Sequence, residues 1–219
     1  MKIRSLNNAS TLFSSNDSSV LVDPWLIGDL YGSGWSPFVI MDDLSFLDSV
    51  LDVIITHIHE DHWDKATLKL LDKSVNFHLP KTLVNGVIER GLRDMGFANI
   101  RMHEFNSYIR ISDSFEFKFI PPLNSFGQEI GSYFEDYESD YTNIDSGVLL
   151  RNLSDGSNHL LLCDNTPYDL RLLKMCVDCD LYTLWYPFNG YAIDYPFCYR
   201  NLNRSEKIDI TIQRKDKQI

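Results

Sequence analysis

The sequence predicts an α/β protein built from two β-sheets covered by helices. Two observations carry this. Short apolar runs suited to strands come first along the chain, and stretches with helical periodicity are interspersed later, an order that fits sheets packed under helices. The 219 residues suit one domain of ordinary size with a sizeable core, and the 44% hydrophobic and 23% charged content is that of a folded globular chain. No repeat, low-complexity segment or linker divides it, so residues 1–219 read as a single domain.

Three short strands open the chain at 2–6, 11–14 and 20–22, separated by Ser/Asn/Asp-rich turns, and Asp23-Pro24 ends the third. A loop rich in glycine and aromatics follows at 25–38, with Trp25, Gly28, Tyr31, Gly32, Gly34 and Trp35. Val53-Ile54-Ile55-Thr56 is a compact apolar run suited to a buried strand. Asp64 is placed to cap a helix over 65–71. A strand at 75–79 follows, and Thr82 then caps a second helix. Val84, Val87, Ile88, Leu92 and Met95 share one face of that helix, and Gly96 closes it. Further strands are expected at 100–104, 108–111, 115–120, 148–152 and 160–163, then a helix near 168–175 and a strand at 181–185.

Composition excludes several classes of function. A formal net charge of −11 disfavours broad binding to nucleic acid or anionic membranes, and the basic tail Arg214-Lys215-Asp216-Lys217 reads as a solvated terminus. No apolar stretch is long enough to span a bilayer, and no signal-peptide core follows the first residues, so the cytoplasm is the expected compartment. Cys163, Cys176, Cys179 and Cys198 do not make a disulfide framework in a chain this long; Cys176-Val177-Asp178-Cys179 has the spacing of half a zinc site without a second pair. Between Lys118 and Arg151 there is no Lys or Arg, while Glu129, Glu135, Asp136, Glu138, Asp140 and Asp145 occur among aromatics. This segment reads either as a solvated loop or as a lid.

The chemistry concentrates at His57-Ile58-His59-Glu60-Asp61-His62, which holds three of the chain's six histidines. Divalent transition metals favour imidazole nitrogen and carboxylate oxygen on a stiff support. At a strand end, His57 and His59 differ by two positions and so point to the same side, where two imidazoles can close on one metal. Asp61 and His62 follow as the chain turns toward the next helix and can face a neighbouring metal. His-x-His-x-Asp-His is a specific pattern, and a metal site is its leading reading.

Thr56-His57-Ile58-His59-Glu60-Asp61-His62 resembles the signature loop of the metallo-β-lactamase superfamily. Val20-Leu21-Val22-Asp23-Pro24-Trp25-Leu26 resembles that family's upstream strand, whose terminal Asp braces the metal loop. Leu160-Leu161-Leu162-Cys163-Asp164 resembles the later strand whose terminal Asp bridges two metals. The resemblance covers residues 1–190 and implies a four-layer αββα sandwich, shortened at the C-terminus. It also implies a divalent metal (zinc, with manganese or iron as alternatives) held by His57, His59, Asp61, His62 and Asp164, with Asp23 behind them. Within the superfamily, Asp23-Pro24-Trp25-Leu26-Ile27-Gly28, Gly34-Trp35, and the stretch from Tyr186-Pro187-Phe188 to Tyr195-Pro196-Phe197-Cys198-Tyr199 resemble the branch containing the metal-binding part of CMP-N-acetylneuraminate hydroxylase.

The chain also departs from the family pattern. Where another metal-ligating histidine is expected, it reads Pro121-Pro122-Leu123-Asn124-Ser125-Phe126, and no histidine follows His159. His78 and His103 lie in apparent strands, where a lone histidine usually packs or faces solvent. With these ligands missing, weakened metal binding is expected. The functional expectation is a metal-dependent hydrolase in which activated water attacks a carbonyl or phosphoryl centre of a small substrate, sugar- or nucleotide-linked, with Asp61 managing the proton. Trp25, Trp35, Tyr186 and Tyr191 could stack on a sugar or base, though core or loop packing is the commoner role for each. Two alternatives stand beside it: a metal- or partner-binding domain without turnover, and an accessory to oxidative sugar modification. The oligomeric state is not legible.

Overall fold

Strand alternation sorts the apolar residues into two cores. The computed structural model describes residues 1–15, 18–30, 35–37, 39–82, 85–121 and 146–161, and the backbone of 181–185. Strands β1 (Lys2–Asn7), β2 (Ser10–Ser14), β3 (Ser19–Val22), β4 (Asp52–Ile54), β5 (Asn76–Pro80) and β6 (Ile100–His103) form a six-stranded sheet in sequence order. The β1–β2 and β2–β3 pairings are antiparallel, and β3 to β6 run parallel. A five-stranded sheet has the order β11-β10-β9-β8-β7, with β7 at Ile109–Arg110, β8 at Phe115–Ile120, β9 at Gly147–Asn152, β10 at Asn158–Leu161 and β11 at Leu181–Trp185.

Side chains alternate across each strand, so adjacent residues enter different cores. Phe13, Val20, Val22 and Ile54 of the first sheet meet Phe115, Phe117, Phe119, Val148, Leu150 and Leu161 of the second. Leu12, Leu21 and Val53 point the other way. They join Leu68, Ile88 and Leu92 from the helices α1 (Lys65–Leu68) and α2 (Gly86–Asp94). Leu149 and Leu160 leave the second sheet on its outer side and are fully buried as well. This is the α/β two-sheet architecture that the sequence predicts.

Specific local chemistry places the caps and turns, while element boundaries are set by the surrounding fold. Asp64 caps α1, its carboxylate accepting from the backbone N–H groups of Ala66 and Thr67, but the helix stops at Leu68 and not at 71. The strand expected over 53–56 ends at Ile54. Helix α2 begins at Gly86; Thr82 accepts from the Asn85 N–H before it. Val87 falls on the rim of its apolar stripe and is exposed, while Ile88 and Leu92 are buried. Gly96 closes the helix with φ +90°. Trp25 is fully buried, with Nε1–H donating to the Gly28 carbonyl, and packs with Leu30 and Trp35; it is a core residue, not a stacking platform. The expected helix near 168–175, the segment 122–145, the cysteines, Tyr31, Gly32, Gly34, Tyr186 and Tyr191 lie outside the described residues. Among the described residues, no helix is long and apolar enough to cross a membrane.

Two histidines expected as strand filler form a chain across the inner face of the first sheet. His78 is buried; its Nε2 lies 3.0 Å from Asp52 Oδ1 and its Nδ1 lies 2.9 Å from His103 Nε2. Both rings meet Phe117 edge-on. Burial, then the neighbouring His78 and Arg101, lower the His103 pKa from 6.5 to about 4.

Two tests follow from this packing. A methyl at Gly91 would meet Trp63 Cζ3 at 2.9 Å, and Trp63 is pinned by its Nε1–H bond to the Ile58 carbonyl. Gly91→Ala gains about 1 kcal/mol of helix propensity but incurs about 1–3 kcal/mol of overpacking. A net loss of stability is expected by urea unfolding, and an unchanged midpoint would show that Trp63 yields. For His103, the unfolded chain takes up a proton near pH 6.5 and the folded chain only near 4, so its contribution to stability is lost as pH falls through that window. His103→Gln should flatten that part of the stability–pH curve relative to the parent; identical curves would refute the burial argument.

Candidate metal centre

Four parallel strands bring their C-terminal ends to one edge of the first sheet, and loops leaving such ends are where α/β folds gather polar groups. Asp23 leaves β3 there, and residues 55–62 leave β4. Asp23 sits in the left-handed region at φ +46°, a conformation Asp tolerates better than most residues. Its N–H donates to the Ile54 carbonyl at 2.9 Å, and its carbonyl accepts from Ser10 Oγ at 2.7 Å. Held at both ends, its buried side chain turns toward the loop after β4.

The Asp23 carboxylate collects three donors. Oδ1 accepts the Thr56 N–H at 2.8 Å; Oδ2 accepts Thr56 Oγ1 at 2.7 Å and His62 Nδ1 at 2.8 Å. An ionised carboxylate can only accept, so His62 carries its proton on Nδ1 and presents Nε2 as the nitrogen with a lone pair. Thr56 spends its hydroxyl proton on Asp23, so the 2.9 Å contact from Thr56 Oγ1 to His57 Nδ1 has the imidazole donating. His57 therefore also presents Nε2. One buried carboxylate thus sets the tautomers of two histidines, one directly and one through Thr56, as carboxylates behind metal-ligating histidines do.

The predicted site residues come together as two donor pairs. His57 Nε2 and His59 Nδ1 lie 2.9 Å apart. His62 Nε2 lies 3.4 Å from Asp61 Oδ2, and the His57 and His62 rings are 3.9 Å apart between centroids. His57, Asp61 and His62 are buried and His59 is exposed, so the cluster opens to solvent on the His59 side. His57 and His59 do point to one side, although from a bend and not from a strand. Asp61 Oδ2 also accepts from Asn8 Nδ2 at 3.3 Å. Burial, reinforced by His62 and His59, holds the His57 pKa well below its ordinary value, so it is a neutral base near pH 7.

The geometry of the first pair differs from that of His78 and His103. Both have N···N distances of 2.9 Å, but the centroids stand 5.2 Å apart in the strand pair and 4.7 Å in the loop pair. The larger separation means the His78 and His103 nitrogens face each other nearly in line, as in a hydrogen bond. The smaller one means that the His57–His59 contact is bent and not in line. Two nitrogens on one tetrahedral ion at about 2.0–2.1 Å stand about 3.3 Å apart, so this pair needs to part by only a few tenths of an ångström. Imidazole and carboxylate donors suit zinc or iron. Among the described residues no group of three His, Cys, Asp or Glu side chains is arranged to hold an ion, so each pair needs a further donor.

Asp164 and Asn124 lie outside the described residues. Strand β10 runs toward this edge: its last residue, Leu161, pairs with Val148, and Ser146 just before β9 donates from Oγ to the Thr56 carbonyl at 2.7 Å. His159 is buried in the sandwich with its ring beside Phe13 and its Nε2 3.0 Å from Ser157 Oγ. Burial lowers its pKa. Sequence reasoning missed Asn8, Ser10 and Ser146. The turn Asn7-Asn8-Ala9-Ser10 offered a signal only for Asn8, whose φ of +49° is one that Asn favours.

Asp23→Asn tests the tautomer argument. An amide NH2 facing Oδ2's donors would push the His62 proton from Nδ1 to Nε2, visible in imidazole 15N shifts, and cost about 2–4 kcal/mol of stability. An unchanged His62 tautomer would remove Asp23 from this role.

Comparisons with known proteins agree with this architecture. A possible metal-dependent hydrolase of Veillonella parvula is similar at 19% identity and TM-score 0.56, over 81% of this chain and 67% of that one. An isothiocyanate hydrolase from Delia radicum gut bacteria is similar at 18% identity and TM-score 0.58, over 84% and 70%. A protein of Mycolicibacterium smegmatis that bears the name of a Rieske 2Fe-2S iron–sulfur protein is 32% identical over 103 residues, 45% of this chain; the match spans 19% of that relative's length. The family model of the beta-lactamase superfamily domain matches residues 2–126, more than half of the chain, and the protein belongs to that family.

Proposed function

We propose that this protein is a metal-dependent hydrolase acting on a small substrate at the edge formed by the ends of β3 and β4. The observation that carries the reading is the bent His57–His59 pair beside the Asp61–His62 pair, with Asp23 behind both His57 and His62. His57 through Nε2 and His59 through Nδ1 would hold one divalent ion, zinc in the first instance. Asp61 and His62 would face a neighbouring position, and Asp164 would supply the further donor. When bound, such an ion supplies Lewis-acid activation of water near neutral pH.

The chain's own residues do the rest. Asp23 keeps both imidazoles in the tautomer that donates away from the centre. Asp61, buried and steadied by Asn8, is placed to accept a proton from attacking water and return it to a leaving group. Exposed His59 marks the side from which a substrate enters. A sugar- or nucleotide-linked carbonyl or phosphoryl ester is the substrate class we favour.

A second reading has its own observation. The 32% identity to a protein bearing the name of a Rieske iron–sulfur protein supports an accessory role beside iron–sulfur redox chemistry, with iron in the centre; that the chemistry acts on sugars rests on the resemblance to the CMP-N-acetylneuraminate hydroxylase branch alone.

Elemental analysis with a panel of phosphoester, lactone and nucleotide-sugar substrates separates these readings. We expect zinc at about one ion per chain or less after mild chelation, and slow hydrolysis of at least one substrate. His57→Ala should abolish both metal retention and turnover. Tightly held iron without hydrolysis would favour the accessory role, and metal retention unchanged in His57→Ala would overturn the site.

A further inference from the structure

Ser146 stands just before β9 on the second sheet, and its hydroxyl donates to the Thr56 carbonyl at 2.7 Å from 90 residues away in sequence. We propose that Ser146 is a positioning residue for the ion: it fixes the peptide between Thr56 and His57 and so aims the His57 imidazole. This rests on the metal reading of the His57–His62 cluster and adds to it a residue from the other sheet.

Strand β4 ends at Ile54, and side chains take over from the ladder at Thr56. A peptide unit is a rigid plane, so the path of a chain is set by the dihedrals between successive planes. The Thr56 N–H belongs to the plane before this residue, and Asp23 Oδ1 accepts it at 2.8 Å. The Thr56 carbonyl belongs to the plane after it, and Ser146 holds that one. With both planes held, the His57 Cα is fixed, and the bond from His57 Nδ1 to Thr56 Oγ1 then sets the ring.

Neither end of the Ser146 bond is open to water. Thr56 is 2% exposed and Ser146 1%, so a carbonyl deprived of this donor would be left unpaired in the interior. Ser146 also has a stiff support. Gly147 pairs with Ile120 on one side, and a Cβ at Gly147 would stand 3.1 Å from the Leu161 carbonyl oxygen on the other. A side chain there would press β9 and β10 apart by a few tenths of an ångström, so glycine keeps the strand that carries Ser146 close to its neighbour.

A buried hydroxyl can also satisfy a carbonyl and do nothing more. The two roles differ in what they predict. Simple satisfaction of the carbonyl affects stability alone, whereas a held His57 also meets an ion with less ordering left to do.

Cobalt(II) titration of the whole chain, followed by its visible absorption bands, reads affinity and coordination together. Ser146→Ala should weaken cobalt binding about tenfold or more and alter the bands, as loss of a group behind a ligand does. Ile88→Val, in the buried face of α2, is the comparison: it lowers the urea midpoint but should leave affinity and bands as in the parent. Should Ser146→Ala fold poorly, Ser146→Cys keeps a similar side chain with only a weak donor and should also weaken binding. Unaltered cobalt binding in the folded Ser146 variant, or equal weakening in Ile88→Val, would overturn the role of Ser146 while leaving the metal centre standing. A parent that takes up no cobalt, or a His57→Ala variant that takes up as much as the parent, would sink the metal reading and the role of Ser146 with it.

Discussion

Asp23 is a carboxyl group almost wholly removed from solvent, and the surrounding structure is organised to make that tolerable. Its carboxylate accepts from one backbone N–H, one hydroxyl and one imidazole, all within 2.8 Å. Those three donors belong to Thr56 and His62, so satisfying the charge also fixes the path of the chain after β4. Charged acceptors make the stronger class of hydrogen bond, and leaving such a group unpaired costs more than the bonds contribute. The loop is therefore held by a penalty for disorder as much as by attraction.

The scaffold around Asp23 serves the same end. Ser10 of β2 bridges the carbonyls of Asp23 and Trp25 and accepts the Trp25 N–H. Asp64 caps α1 and accepts from Thr67 Oγ1, which in turn accepts the N–H groups of Leu26 and Ile27. The Thr67 hydroxyl thus ties the loop after β3 to the helix after the His57–His62 loop. Trp63 closes the arrangement by donating to Ile58 and packing against Gly91 of α2. None of these residues belongs to the His57–His62 cluster itself, yet together they fix the two loops that carry it.

Two imidazole pairs with the same nitrogen separation serve different purposes. His78 and His103 meet in line between strands and extend from Asp52 in the interior, where a directed hydrogen bond satisfies two polar rings among Phe117 and Phe119. His57 and His59 are two residues apart on a bend, and their nitrogens meet at 2.9 Å in a bent contact. Nitrogen separation is the same in both pairs; the shorter distance between ring centroids shows that the loop contact is bent where the strand contact is in line.

Strand identity was legible because β8 alternates apolar and polar residues while β3 and β9 are short apolar runs, and His57, His59, Asp61 and His62 were legible because four such side chains rarely fall so close by chance. Asp64 as a helix cap and Gly96 as a helix stop were likewise written locally. Boundaries were not: the run Val53-Ile54-Ile55-Thr56 is apolar throughout, but the strand ends at Ile54 because Thr56 is drawn to Asp23. Nor could spacing reveal that His78 reaches Asp52 and His103, that Asn8 reaches Asp61 or that Ser146 reaches Thr56. What the sequence determined by itself was therefore the set of donors and the periodicities that make sheets. The tertiary structure decided which nitrogen of each histidine is presented. A tautomer depends on the acceptor behind the ring, and that acceptor, Asp23, lies 39 residues from His62 and meets it only when β3 and β4 pair.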